Sequence, residues 1–132
     1  MAKQPVSTGQ FNLARALIWV FVRFDGRISR QVYWLGNAAL FAISAIFLRP
    51  TVDADTGAVA LHLNSFGYMM IFAAMASSLA IGAKRLHDFN ISALFTVVLV
   101  LPASSVLATL VIGLVPGTPG ANRYGVATDR MP

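Results

Sequence analysis

The chain has 132 residues, of which 57% are hydrophobic and only 11% are charged, whereas soluble domains carry about 25% charged residues. This composition excludes an ordinary soluble globule and favours an all-α membrane protein of one domain, because a bilayer solvates apolar surface that so short a chain cannot bury. The formal charge of +5 is typical of basic residues that flank membrane spans, so we expect anionic lipid headgroups as partners and no nucleic acid.

The N-terminal part predicts two segments before the first membrane span. Residues 1–10 are small and polar, and they indicate a mobile tail. Residues 11–24 predict an amphipathic helix that lies in the membrane plane, because apolar residues recur at helical spacing on one side. The opposite stripe is basic, and Trp19 lies within it between Arg15 and Arg23. We therefore expect the Trp19 indole at the lipid headgroups.

Two apolar runs predict the first two transmembrane helices, over residues 33–48 and 66–83. Ser29 is a suitable N-cap before the first run, and residues 51–64 form a polar loop between the two. An Asp-x-Asp-x-Gly string begins at Asp53 in this loop and is similar to a calcium loop. The chain contains no Glu to supply the bidentate ligand, so we expect no calcium there.

The third apolar run, residues 91–115, predicts a transmembrane helix that is kinked at Pro102. A re-entrant hairpin bent at Pro102 is the alternative. Residues 116–132 then form a polar tail. With three spans, seven Lys and Arg fall on one side and three on the other, so the N-terminus is expected in the cytoplasm and the tail outside. A re-entrant third run places the tail on the cytoplasmic side instead.

A polar cluster follows the second apolar run and is the strongest candidate site in the sequence. It contains Lys84, Arg85, His87 and Asp88. One interpretation is an anion site for a phosphate or lipid headgroup. The other is a structural brace, in which Asp88 pairs with Lys84 and Arg85 at a helix end. We assign no catalytic residue, because no nucleophile or second carboxylate that His87 could serve is evident.

Small residues at four-residue intervals on the second apolar run predict a helix-packing face. They are Ala74, Ser78 and Gly82. Small side chains let membrane helices approach closely. Metal binding is not expected, because the chain has no cysteine and its two histidines, His62 and His87, fall on opposite sides of the predicted membrane.

Four motifs in order resemble the bacterial inner-membrane family called domain of unknown function 805. They are Phe24–Arg30, Tyr33–Trp34, Lys84–Asp88 and Pro116–Gly125. The resemblance implies a small multi-pass protein of the bacterial inner membrane and supplies no catalytic residue or cofactor. It does single out six motif positions: Arg27, Arg30, Arg85, His87, Asp88 and Arg123. With Lys84 of the polar cluster, these are the candidates for binding lipid or a partner.

These observations favour a non-enzymatic packing or accessory component of a membrane protein assembly. Its basic cytoplasmic face is expected to contact anionic lipid or a partner, in a homo-oligomer or a larger membrane complex. The alternative is an oligomeric transport or channel component, and an enzyme acting on a lipid headgroup is a third hypothesis.

Overall fold

The computed structural model describes residues 12–130. It is mostly helical, and the predicted tail at residues 1–10 lies outside the described residues. Its α-helices are α1 (Leu13–Phe21), α2 (Arg30–Phe47), α3 (Ser65–Asp88) and α4 (Pro102–Leu114), with a 3-10 helix at Ala93–Leu99 between α3 and α4. Two short antiparallel strands, β1 (Arg49–Val52) and β2 (Val59–His62), separate α2 from α3.

Helix α1 is shorter than the predicted helix over residues 11–24, and the indole of Trp19 is buried within the chain. Trp19 is only 5% exposed. Its Nε1 donates to the Asp25 carbonyl at 3.1 Å, and the ring lies beside Gly26. The prediction that Trp19 meets the headgroups is therefore wrong, because the turn after α1 folds back and covers it. Leu13 and Leu17 on the predicted apolar face stay exposed.

Helix α2 begins where the sequence predicted. The Ser29 side chain accepts from the Val32 amide at 3.3 Å, which confirms it as the N-cap. The polar loop that follows contains the β-hairpin β1–β2, so the all-α prediction missed a small sheet. Its turn is held by the Asp53 carboxylate, which accepts from the Thr56 amide at 2.8 Å, and by Gly57, whose φ is +67°.

Helix α3 continues to Asp88, so the predicted end at residue 83 and the predicted loop over residues 84–90 are wrong. The helix stops at a Schellman turn. The Ile91 amide donates to the Leu86 carbonyl and the Asn90 amide donates to the His87 carbonyl, both at 3.0 Å. Asn90 has a φ of 63°, a left-handed conformation that Asn tolerates better than most residues. The basic cluster is therefore part of the helix, and the chain reverses directly after it.

Residues 91–115 form a helical hairpin, and the predicted single helix kinked at Pro102 is wrong. Leu99 of the 3-10 helix lies against Gly82 of α3, whereas Ile112 near the end of α4 accepts a hydrogen bond from Arg85. The segment therefore leaves and returns at the same end of α3. The chain reverses at Pro102 because proline has no amide hydrogen and fits the first turn of a new helix.

The predicted small-residue stripe packs within the chain. The Ser78 hydroxyl donates to the Asn37 side-chain carbonyl of α2 at 2.9 Å. Gly82 faces the 3-10 helix, where an added Cβ would lie 2.5 Å from Leu99 Cδ1. Ala74 is half-buried. Ser78 thus contacts α2, and Gly82 contacts the helical hairpin.

The distribution of polar and apolar groups is the reverse of that in a soluble protein. Large apolar side chains are exposed on every helix, for example Leu35, Phe41 and Phe72 at 71%, 76% and 68%. The residues buried at the C-terminal end of α3 include Lys84, Arg85 and Asp88. Among residues 12–130, Ser65–Asp88 is long and apolar enough to cross a membrane, and Ala103–Leu114 is a shorter apolar helix.

Candidate functional site

Asp88, the last residue of α3, lies between two buried arginines. Its Oδ1 accepts from Arg27 Nε at 3.0 Å and from Arg27 Nη2 at 2.8 Å, so two N–H groups of one guanidinium converge on one carboxylate oxygen. Its Oδ2 accepts from Arg85 Nη1, one turn earlier on α3. Arg27, Arg85 and Asp88 are each at most 3% exposed. We call these three residues the ionic clamp.

Arg27 also binds the C-terminal segment, which we define as residues 116–130. Its Nη1 donates to the Gly120 carbonyl at 2.5 Å and to the Gly125 carbonyl at 3.3 Å. Its Nη2 donates to the Thr118 carbonyl at 2.7 Å. One side chain from the turn before α2 thus ties the C-terminal segment to the end of α3.

The C-terminal end of α4 depends on side chains from α2 and α3. The last four carbonyls of a helix lack partners within it. Here Arg85 Nε donates to the Ile112 carbonyl at 3.2 Å and Arg85 Nη2 to the Val115 carbonyl at 2.5 Å. The remaining two carbonyls, of Gly113 and Leu114, accept from Trp34 Nε1 at 3.2 Å and Arg30 Nη1 at 3.4 Å. Two cations at a helix C-terminus also interact favourably with its dipole.

Lys84 does not pair with Asp88, so that part of the predicted brace is wrong. Its ammonium donates to the Arg23 carbonyl and, at 3.2 Å, to the Ala80 carbonyl. The ammonium also lies 5.8 Å from the centre of the Trp19 ring, within the range of a cation–π interaction. Lys84 therefore fixes α1 and its following turn against α3.

His87 connects the turn before α2 to the C-terminal segment. Its Nδ1 lies 3.2 Å from the Gly26 carbonyl. Its ring stacks on Tyr124 with centroids 3.8 Å apart and planes inclined by 8°. The His87 carbonyl accepts from Asn122 Nδ2 at 2.8 Å. These three contacts join the turn before α2, the end of α3 and the C-terminal segment.

The C-terminal segment covers the site and makes further hydrogen bonds with Asp88 and its neighbours. Thr128 Oγ1 donates to Asp88 Oδ1 at 2.8 Å, and the Thr118 amide and hydroxyl donate to the Asp88 carbonyl at 2.9 and 2.7 Å. Asp129 accepts from the Ser29 amide at 2.7 Å. Gly117 packs so closely that an added Cβ would overlap the Asp88 carboxylate. Among residues 12–130, every buried side-chain nitrogen and oxygen has a hydrogen-bond partner.

The structure brings all seven predicted lipid- or partner-binding residues to one end of the molecule and divides them by exposure. Arg30 and Arg123 are exposed, whereas five are buried with their polar groups turned inward: Arg27, Lys84, Arg85, His87 and Asp88. The local Arg85–Asp88 pairing that the sequence predicted is confirmed. The geometry favours a structural brace for the buried five, and binding of a ligand by any of the seven stays a prediction.

Sequence reasoning missed Thr128, Asp129 and Gly117 as parts of the site. Thr128 and Asp129 lie 40 and 100 residues from the groups they bind, so no local periodicity marks them. Gly117 belongs to a motif quoted for the resemblance, but only the close approach to Asp88 explains why a glycine stands there. His62 precedes α3 and His87 lies in its last turn, and the described residues contain no cluster of three potential metal ligands.

Comparisons with known proteins agree with the motifs. Residues 21–126 match the family described as "Protein of unknown function (DUF805)". The chain is 29% identical over 105 residues to "Inner membrane protein YhaI" of Escherichia coli strain K12. The aligned region covers 80% of this chain and 85% of that protein. The protein of the same name from Escherichia coli O157:H7 gives the same values. No solved structure matches the chain significantly. Because the match covers the ionic clamp and most of the C-terminal segment, we conclude that this chain belongs to the DUF805 family.

Proposed function

We propose that this protein is an integral component of the bacterial inner membrane and acts without catalysis, as a packing or accessory subunit of a membrane protein assembly. In this proposal α2 and α3 cross the bilayer. The 3-10 helix and α4 form a re-entrant hairpin, and the end of the molecule that holds the ionic clamp faces the cytoplasm. Similarity to a protein named as an inner membrane protein supports the location.

The observation that carries the proposal is the combination of exposed apolar helices with a hydrogen-bonded ionic clamp at one end. Helix α2 has 18 residues and α3 has 24, which gives lengths of about 27 and 36 Å against a hydrocarbon core of about 30 Å. Helix α4 has 13 residues, and its length of about 20 Å is too short to cross. A re-entrant segment is tolerated in a membrane only where other protein satisfies its backbone, as Arg85, Trp34 and Arg30 do for α4.

The charge distribution supports the orientation. Arg27, Arg30 and Lys84 belong to the end that holds the clamp, as do Arg85 and Arg123, whereas Arg49 begins the β-hairpin at the other end of α2. Lys and Arg are concentrated on the cytoplasmic side of membrane proteins. The exposed cations Arg30 and Arg123 can contact anionic headgroups or an acidic partner surface from that side.

Cysteine labelling tests the topology directly, because the natural chain has no cysteine. Single replacements Asp55→Cys, in the β-hairpin turn, and Val126→Cys, in the C-terminal segment, are exposed positions. In intact spheroplasts, a membrane-impermeant maleimide is expected to label the Asp55→Cys protein, and to label the Val126→Cys protein only after permeabilisation. Labelling of both proteins from outside would refute the re-entrant hairpin, and labelling of Val126→Cys alone would refute the orientation.

Purification in nanodiscs followed by native mass measurement tests the accessory role. We expect a stoichiometric complex with another membrane protein. A monomer without partners would contradict the accessory role, and a homo-oligomer that conducts ions in planar bilayers would instead support the transport hypothesis.

A further inference from the structure

An apolar groove runs along the helical hairpin. It has a volume of about 640 Å³, which is within the range of about 300–1,000 Å³ of sites for small molecules. Phe95 and Val98 line it from the 3-10 helix, Leu107 and Ala108 line it from α4, and Leu86 lines it from α3. The groove extends from Asn90, at the start of the hairpin, to Ser104, near its turn. It is therefore an open apolar groove, and we call its end at Asn90 the polar end.

Arg123 stands at the polar end of this groove. Its Nη2 donates to the Asn90 carbonyl at 3.2 Å, and its guanidinium lies 4.6 Å from the centre of the Tyr124 ring. Tyr124 in turn stacks on the buried His87. Arg123 is thus positioned by the folded C-terminal segment while it remains exposed, in contrast to Arg27 and Arg85. A guanidinium has five N–H donors, and a pair of them can bind a phosphate.

We propose that this groove binds one acyl chain of an anionic phospholipid, whose phosphate is held by Arg123. The inference rests on the membrane placement under Proposed function. An acyl chain suits the groove because it has no polar backbone, whereas an extended peptide segment in an apolar groove would leave amide and carbonyl groups without partners. The Arg123 guanidinium at the polar end attracts the negative headgroup. The acyl chain buries its surface against the apolar lining of the groove.

Native mass spectrometry of the full chain in detergent tests the proposal. The protein is titrated with phosphatidylglycerol and with phosphatidylcholine of the same acyl chains. We expect one tightly bound lipid, with phosphatidylglycerol preferred. Arg123→Gln should weaken phosphatidylglycerol binding about fivefold, which corresponds to one arginine at an anionic surface. It should weaken phosphatidylcholine binding less, because the choline cation offsets the charge of that phosphate. Arg130→Gln is the matched control, because it removes an equal charge from the same segment outside the groove.

A second variant tests the groove itself. Ala108→Leu fills it and should lower binding of both lipids, and tryptophan fluorescence establishes that the variant is folded. If Ala108→Leu does not fold, Leu107→Phe replaces it, because Leu107 is 67% exposed. Unchanged lipid binding by a folded groove variant, or equal phosphatidylglycerol binding by Arg123→Gln and the natural chain, would overturn the proposal. Extraction of the natural chain from membranes by alkaline carbonate would instead refute the proposed function.

Discussion

Replacement of Asp88 by Asn is the sharpest test of the ionic clamp. The change keeps the size of the side chain but removes the negative charge between two guanidinium groups that are each 1% exposed. It also replaces one carboxylate oxygen, which accepts hydrogen bonds from these N–H groups, by an NH₂ group, which only donates them. Breaking a buried ion pair by removing one partner costs about 3–5 kcal/mol, because the remaining charge stays buried without compensation. We expect Asp88→Asn to lower the free energy of unfolding by an amount in that range.

The two tryptophans of the chain supply the assay. Trp34 contacts the end of α4 through the Gly113 carbonyl, and Trp19 packs beside the turn that precedes Arg27. Their fluorescence during unfolding by sodium dodecyl sulfate in mixed micelles therefore reports on two sides of the clamp. Asp25→Asn is the control, because its ion pair with Arg23 is exposed and is worth at most about 1 kcal/mol. Equal stability of Asp88→Asn and Asp25→Asn would refute the reasoning.

Three further predictions concern other contacts. Gly117→Ala should destabilise the chain in the same fluorescence assay, because the added Cβ overlaps Asp88. Gly125→Ala is the control and should behave like the natural chain, because its added Cβ would lie 3.6 Å from Arg27 Cδ. Equal effects of the two changes would contradict the overlap. A double-mutant cycle of Asn37→Ala and Ser78→Ala should give a coupling free energy of about 0.6 kcal/mol, typical of hydrogen bonds between membrane helices, and a value of zero would show that the hydrogen bond contributes nothing. The amide and hydroxyl of Thr56, with the amide of Asp55, hold the pKa of Asp53 below its ordinary value, so the β-hairpin turn should be favoured at neutral pH and loosen as acid protonates this carboxylate. A nuclear magnetic resonance titration of Asp53 that gives an ordinary aspartate pKa would contradict this.

The parts of the fold that the sequence predicted are those with local causes. The N-cap at Ser29 depends on neighbouring residues, so its residue type was informative. The end of α3 was misplaced because polar residues after an apolar run usually indicate a loop. Here Lys84 and Arg85 stay helical because partners 61 and 27 residues away bind their side chains. Such partners leave no periodic signal in the sequence.

The hairpin was mispredicted for a related reason. An apolar run of 25 residues with one proline fits both a kinked helix and a reversal, and hydropathy is the same for both. The choice depends on whether the C-terminal carbonyls of α4 find donors, and those donors are Arg30 and Trp34 of α2 and Arg85 of α3. The sequence identifies the residues of the candidate site. It does not predict their burial, because the C-terminal segment that covers them is bound through contacts between residues distant in sequence.

The ionic clamp satisfies backbone groups as much as it pairs charges. Arg27, Lys84 and Arg85 are buried with Asp88 as the one buried carboxylate among the described residues, so ion pairing alone leaves an excess of positive charge. Main-chain carbonyls compensate for this excess, with three accepting from Arg27 and three from Arg85. Apolar residues of similar size often replace a buried ion pair without loss of stability. In this chain they would leave six carbonyls without these donors, and each buried unsatisfied group is costly. The arginines therefore satisfy irregular backbone that apolar side chains could not, because Arg27 donates to the C-terminal segment and Arg85 donates to the end of the hairpin.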